Sequence, residues 1–155
     1  MCGIAGWVDF DRDLGDPNAR RELAAMTATM SRRGPDDEGI WIDGPAALGH
    51  RRLAVIDIEG GLQPMVLAED GRPLLVLVYS GETYNYRELR QRLAAAGRRF
   101  DTRSDTEVVL HAHREWGRRD PPSCHASCRL NRTVTLRGIE EMTWLGTERS
   151  SSSVR

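Results

Sequence analysis

An α+β fold, a layered sandwich and not a βαβ repeat, is predicted by three features of this 155-residue sequence. A strand pattern begins almost at the first residue. Short β-like segments cluster in the middle of the chain. Helical signals precede that cluster once and follow it twice, so the order is strand, helix, several strands, two helices. The length suits one domain, which at this size buries roughly 68–70% of its unfolded surface.

The apolar run Ile4 to Phe10 reads as the first strand. Asp16-Pro17 starts a helix, with Asp16 as cap and Pro17 at the first helical position. Leu23, Met26 and Met30 follow at spacings of three and four and predict its buried face. Arg32-Arg33-Gly34-Pro35-Asp36 ends the helix in a loop. β-like segments then cover Gly39 to Ile42, Ala46 to Ile58 and Leu74 to Tyr79, with Glu69-Asp70-Gly71 as a hairpin turn. A second helix fits Tyr86 to Ala96, closed by Gly97. A third begins at Ser104, where Ser104-Asp105-Thr106-Glu107 reads as a capping box, and ends near Trp116-Gly117.

After Gly117 the character changes. Arg118 to Arg155 contains Pro121-Pro122 and a serine run from Ser150 to Ser153, and lacks Phe and Tyr. Val134, Leu136, Ile139, Met142 and Leu145 suit one short helix or strand and nothing sustained. The expectation is a disordered or poorly packed tail. No internal repeat is present.

Composition excludes several classes. A formal net charge of -1 leaves no footprint for nucleic acid. No apolar run approaches the roughly 18 residues of a membrane span. Met1-Cys2-Gly3 has no basic export region, and Asp9, Asp11 and Asp13 interrupt any apolar one, so a cytoplasmic protein is expected. Three cysteines, an odd number, argue against a disulfide framework. All 22 basic residues are arginine, a mark of a GC-rich coding sequence.

The chemistry starts at Cys2. A small residue in second place, Cys2 itself, permits removal of Met1, which leaves Cys2 with a free α-amine. An α-amine has a pKa near 7.7–8.0, so a useful fraction is neutral at pH 7 and can act as base toward its own thiol. Position alone favours an ordinary cysteine; the surrounding motifs reverse that.

Met1-Cys2-Gly3-Ile4-Ala5-Gly6 resembles the opening of class II glutamine amidotransferases, which are N-terminal-nucleophile hydrolases. Arg33-Gly34-Pro35-Asp36 with Gly39 resembles the subgroup found in glutamine-hydrolysing asparagine synthetases. His50 to Asp57, Gly61 to Met65, Gly81 to Asn85 and Ser104 to Glu107 continue the likeness in the family's order, over Met1 to Gly117. The resemblance implies a four-layer αββα Ntn-hydrolase sandwich, here incomplete: residues 1–117 as a partial type 2 amidotransferase domain and 118–155 as a divergent tail.

The resemblance also implies the site. Cys2 is the nucleophile. Arg52 grips the α-carboxylate of glutamine, where a guanidinium offers a two-pronged fork. The backbone of Leu53, Ala54, Val55 and Ile56 lines the same pocket. Glu82 and Asp105 receive the ammonium. The oxyanion donors are the residue at 80 and the Gly81 N–H, but the family's usual Asn is Ser80 here, a shorter group with one donor.

Other candidates carry less. His111 and His113, two apart on a helix, face different sides. Cys124-His125-x-x-Cys128 supplies only three zinc ligands without a second cluster, and Arg118-Arg119 suits a solvated pair. No metal is expected. No phosphate-binding loop occurs either, so ATP and Mg are expected only in a separate synthetase domain, and this chain needs no cofactor.

The leading expectation is glutamine hydrolysis to glutamate and ammonia through a Cys2 thioester. Glutamine is the small-molecule partner, alongside a separate synthetase domain or a second copy of the chain. The competing expectation is an inactive remnant, or a module that binds glutamine or a partner without turnover. The abrupt change at Gly117 further suggests a truncated or frameshifted gene product.

Overall fold

The computed structural model describes residues 2–117 together with the strands Cys128–Arg129, Thr133–Arg137 and Glu141–Leu145. The fold is mixed α+β. Strand β1 (Gly3–Val8) is followed by helix α1 (Pro17–Ala28) and strands β2 (Asp37–Asp43) and β3 (Ala46–Arg52). β3 lies between β1 and β2, antiparallel to both.

Alternation along β3 sends its side chains two ways. Ala47 packs with Leu14, Ala19 and Leu23 beneath α1. Ala46 and Leu48 pack on the opposite side with Val76 and Val78. Those valines belong to β5 (Arg72–Tyr79), which forms a hairpin with β4 (Met65–Glu69). Asp70 and Gly71 between them have φ of 52° and 77°, the left-handed pair that a tight hairpin requires.

The alternate residues of β5, Leu75, Leu77 and Tyr79, pack with Leu110 of α3 (Asp105–Trp116). The short β6 (Glu82–Thr83) leads into α2 (Tyr86–Ala95), whose Leu89 and Leu93 meet Val108 of α3. Each fully buried leucine contributes about 1.5–3 kcal/mol relative to exposure.

Several expectations need correction. The first strand stops at Val8, and Phe10 is exposed. The β-like run from Ala46 ends at Arg52; residues 53–58 form a loop. The α1 cap is as expected, with Asp16 accepting from the N–H groups of Asn18 and Ala19. Its buried face is so only at Leu23, which points inward with Ala19 and Thr27, while Met26 is exposed. Thr27 turns its hydroxyl onto the Leu23 carbonyl at 2.7 Å, so a polar residue is satisfied there, and Gly49 leaves room for it.

Ser104 caps α3 by accepting from the Thr106 N–H, but the reciprocal half of the box is missing. Glu107 instead accepts from the Asp101 and Thr102 N–H groups and the Thr102 hydroxyl, at 2.7–2.8 Å.

Beyond Gly117, where no sustained element is expected, three strands are described. β7 (Cys128–Arg129) pairs with β6, β8 (Thr133–Arg137) pairs with the free side of β5, and β9 (Glu141–Leu145) pairs with β8. The sheet order is β4-β5-β8-β9. Backbone pairing along an open strand edge asks little of side-chain periodicity, so the tail's weak pattern concealed it. Arg118-Arg119 and Cys124-His125 lie outside the described residues, as does the Cys128 side chain.

Candidate active site

A cavity of about 360 Å³ opens where the start of β1 meets the ends of β3 and β5 and the start of α3. Gly3 pairs with Arg51 on β3, which places Cys2 beside Leu53 just past the strand end. The Leu53 N–H donates to the Cys2 sulfur at 3.4 Å, and the thiol lies 3.7 Å from the Leu53 carbonyl. Gly3 has a packing reason to be small: a Cβ there would stand 2.6 Å from the Met30 sulfur.

Arg52 is buried and lines the cavity. Its guanidinium donates to three carbonyls of the following loop: Ile56 at 3.2 Å, Asp57 at 2.6 Å and Ile58 at 2.6 Å. The fork expected to face a carboxylate thus also shapes residues 56–58. Gly61 packs flat against it, because a Cβ would collide with the Arg52 Nη2.

β5 delivers Ser80 and Gly81 to the cavity. The Ser80 hydroxyl donates to the Cys2 carbonyl at 3.1 Å. Gly81 lies over the Tyr79 ring, which would stand 2.8 Å from any Cβ. Two buried groups hold the approach to Ser80: His50 Nε2 lies 3.2 Å from the Tyr79 carbonyl, and Gln63 accepts from the Tyr79 N–H at 2.6 Å. Burial pushes the His50 pKa down to about 4, so the ring is neutral at pH 7, and its Nδ1 has no hydrogen-bond partner among the described residues.

Glu82 and Asp105 line the cavity as well. Burial raises the Asp105 pKa above the ordinary carboxylate value, with Glu82 adding to the rise. Hydrogen bonds from the Thr83 N–H, at 3.0 Å, and from the first turn of α3 pull the other way. Two carboxyl groups and the sulfur of Cys2 therefore share one opening.

Of the residues expected at the site, Cys2, Arg52, Leu53, Val55, Ile56, Ser80, Gly81, Glu82 and Asp105 line the cavity. Ala54 does not; its N–H donates to Asp36 at 2.8 Å, which anchors the loop from outside. Gln63, Tyr84 and Thr106, for which the sequence predicts no role at the site, also line the cavity. They stood inside the quoted motifs, so their position, not a chemical pattern, was the available signal. His111 packs edge-on against Phe100, with ring centroids 4.9 Å apart, and does not line the cavity. Among the described residues no cluster of three or more His, Cys, Asp or Glu side chains could hold a metal. No helix among them is long and apolar enough to cross a membrane.

Fold and site together define an α+β domain with a cysteine-bearing pocket. A family profile described as "Glutamine amidotransferase domain" matches residues 1–126, past the Gly117 boundary, and the chain belongs to that family. It is 47% identical over 116 residues to asparagine synthetase [glutamine-hydrolyzing] 3 of Bacillus subtilis, covering 75% of this chain and 18% of that protein. A putative asparagine synthetase [glutamine-hydrolyzing] 2 of Methanocaldococcus jannaschii is 35% identical over 133 residues, 76% of this chain and 24% of the relative. Asparagine synthetase [glutamine-hydrolyzing] 1 of Arabidopsis thaliana is 38% identical over 117 residues, covering 76% and 19%. The chain thus spans about a fifth of the length of these relatives, and it is homologous to their amidotransferase region.

Proposed function

We propose that this domain hydrolyses glutamine to glutamate and ammonia, with Cys2 as nucleophile. The observation that carries the reading is the meeting of the Cys2 thiol with Arg52, Glu82 and Asp105 around one cavity, although Cys2 and Asp105 lie 103 positions apart in sequence. A thiol, a cation and two carboxylates match the amide, carboxylate and ammonium of glutamine.

In this reading Met1 is removed and the α-amine of Cys2 takes the thiol proton. The thiolate attacks the side-chain amide carbon, and the proton passes to the leaving nitrogen, which departs as ammonia. Water, activated by the same amine, then adds to the thioester; its collapse restores the thiol and releases glutamate. Ser80 and the Gly81 N–H serve the oxyanion. Arg52 supplies positive charge toward the α-carboxylate while holding its own loop, and Glu82 and Asp105 take the ammonium.

No cofactor is needed in this chain; ATP and Mg belong with the synthetase reaction. The ammonia acceptor and a synthetase domain, or a second copy of the chain, are the partners proposed. The packing of α1 on one sheet and α3 on the other, with valine-rich inner faces between, supports the four-layer αββα arrangement.

A second reading, glutamine binding without turnover, draws on the engagement of the Ser80 hydroxyl by the Cys2 carbonyl. Intact mass after exposure to a diazoketone analogue of glutamine separates the two. One adduct on Cys2, on protein lacking Met1, supports hydrolysis. Glutamine binding without an adduct supports the second reading, and retained Met1 removes the base on which the first relies.

A further inference from the structure

We infer that Asp57 is a positioning residue that sets the distance between the two ends of the glutamine pocket; this rests on the assignment of Arg52 and Asp105 made above. Arg52 and Asp105 both line the cavity, from segments far apart in sequence. Asp57 joins those segments.

Its backbone carbonyl accepts from the Arg52 Nη2 at 2.6 Å and from the Gly61 N–H at 3.0 Å. One carboxylate oxygen accepts from the Gly60 N–H at 3.1 Å, closing the loop on itself. The other accepts from the Arg103 N–H at 2.7 Å, two residues before Asp105. A single residue thus touches the Arg52 guanidinium and the backbone that leads into the α3 cap. It does so at φ 51°, a left-handed conformation that Asp and Asn tolerate better than most side chains. Gly60 completes the junction: a Cβ there would collide with the Asp57 carboxylate and stand 2.9 Å from the Thr102 Cβ.

A ligand held only by its carboxylate, or only by its ammonium, is indifferent to this distance. Glutamine, held by both, is not. Asp57 therefore acts on selectivity for an α-amino acid against simpler amides, without touching the ligand.

The test uses the full chain with Cys2→Ala, which removes turnover, and measures dissociation constants by calorimetry. The ligands are glutamine, glutaramate, which lacks the ammonium, and 4-aminobutanamide, which lacks the carboxylate. Asp57→Asn keeps the backbone conformation and one acceptor. It is expected to weaken glutamine by about tenfold, the scale of one misplaced charge-assisted hydrogen bond, and the two half-ligands by less than about threefold. Gly60→Ala, which wedges the same junction, is expected to give the same pattern even if Asp57→Asn folds poorly. Equal weakening of all three ligands, or unchanged glutamine binding, overturns the role of Asp57 and leaves the pocket assignment standing. Failure of the Cys2→Ala parent to bind glutamine overturns both.

Discussion

The Ser80 hydroxyl donates to the carbonyl of Cys2 at 3.1 Å, so the candidate nucleophile and the candidate oxyanion donor are coupled before any ligand arrives. A donor spent on the backbone must let go, or be shared, to stabilise a tetrahedral intermediate. An Asn at this place would offer a longer reach and two N–H donors.

Ser80→Asn is therefore expected to raise turnover by about tenfold or more, since one such donor is commonly worth about 10²–10³. The rate of glutamate formation by purified full chain is the measurement. An unchanged or lower rate means that Ser80 is already productive.

Asp105→Asn is expected to leave thermal stability intact or improve it at pH 7 while weakening glutamine at least tenfold, about the strength of one charge-assisted contact. Burial raises the Asp105 pKa in the fold, so the charged form is disfavoured there relative to the unfolded chain. Stability contributed by the protonated carboxyl is present below the unfolded pKa and is lost as pH rises through the raised folded value. The amide retains an acceptor for the Thr83 N–H without that cost. Glutamine affinity of the parent should fall as acid protonates Asp105, and this limb should vanish in the variant. Paired melting and calorimetry across pH 4–7 check both halves.

His50 gives the opposite sign. Its folded pKa is depressed to about 4 against an ordinary value of 6.5, so the unfolded chain takes up the proton first. Stability is complete above about pH 6.5 and declines as pH falls toward 4, by up to about 3 kcal/mol. His50→Gln, which keeps a donor for the Tyr79 carbonyl, should flatten the acid decline. Subtracting the variant's profile from the parent's isolates this contribution from that of Asp105. A variant as acid-labile as the parent assigns the decline to other groups.

Gly49→Ala should destabilise the fold by about 1–3 kcal/mol, as overpacking does. Its Cβ would collide with the Thr27 hydroxyl and stand 3.1 Å from a Leu23 methyl, which forces α1 away from β3. Urea unfolding is the check, and a loss below about 0.5 kcal/mol, the range of ordinary surface changes, would show that α1 yields freely.

The helix starts and the hairpin were legible because each rests on one or two adjacent residues: Asp16 with Pro17, Ser104, and Asp70 with Gly71. The inward face of α1 was legible only at Leu23, because Thr27 reads as polar until its hydroxyl is seen on the Leu23 carbonyl. Glu107 has the spacing of a cap partner, and spacing cannot reveal that the Asp101–Thr102 turn competes for the same carboxylate. Most of the cavity-lining residues were readable as members of motifs. What each holds in place was not: the three carbonyls on Arg52 and the junction at Asp57 arise from a loop whose path no periodicity encodes.

The thiol at position 2 touches Leu53, and its residue's carbonyl touches Ser80, while Asp105 faces the same opening. No contiguous fragment of modest length contains all of these parts, so the chain must close several long loops before the opening exists. Ligand recognition would then be among the last properties gained on refolding and the first lost on partial unfolding, ahead of any change in helix content.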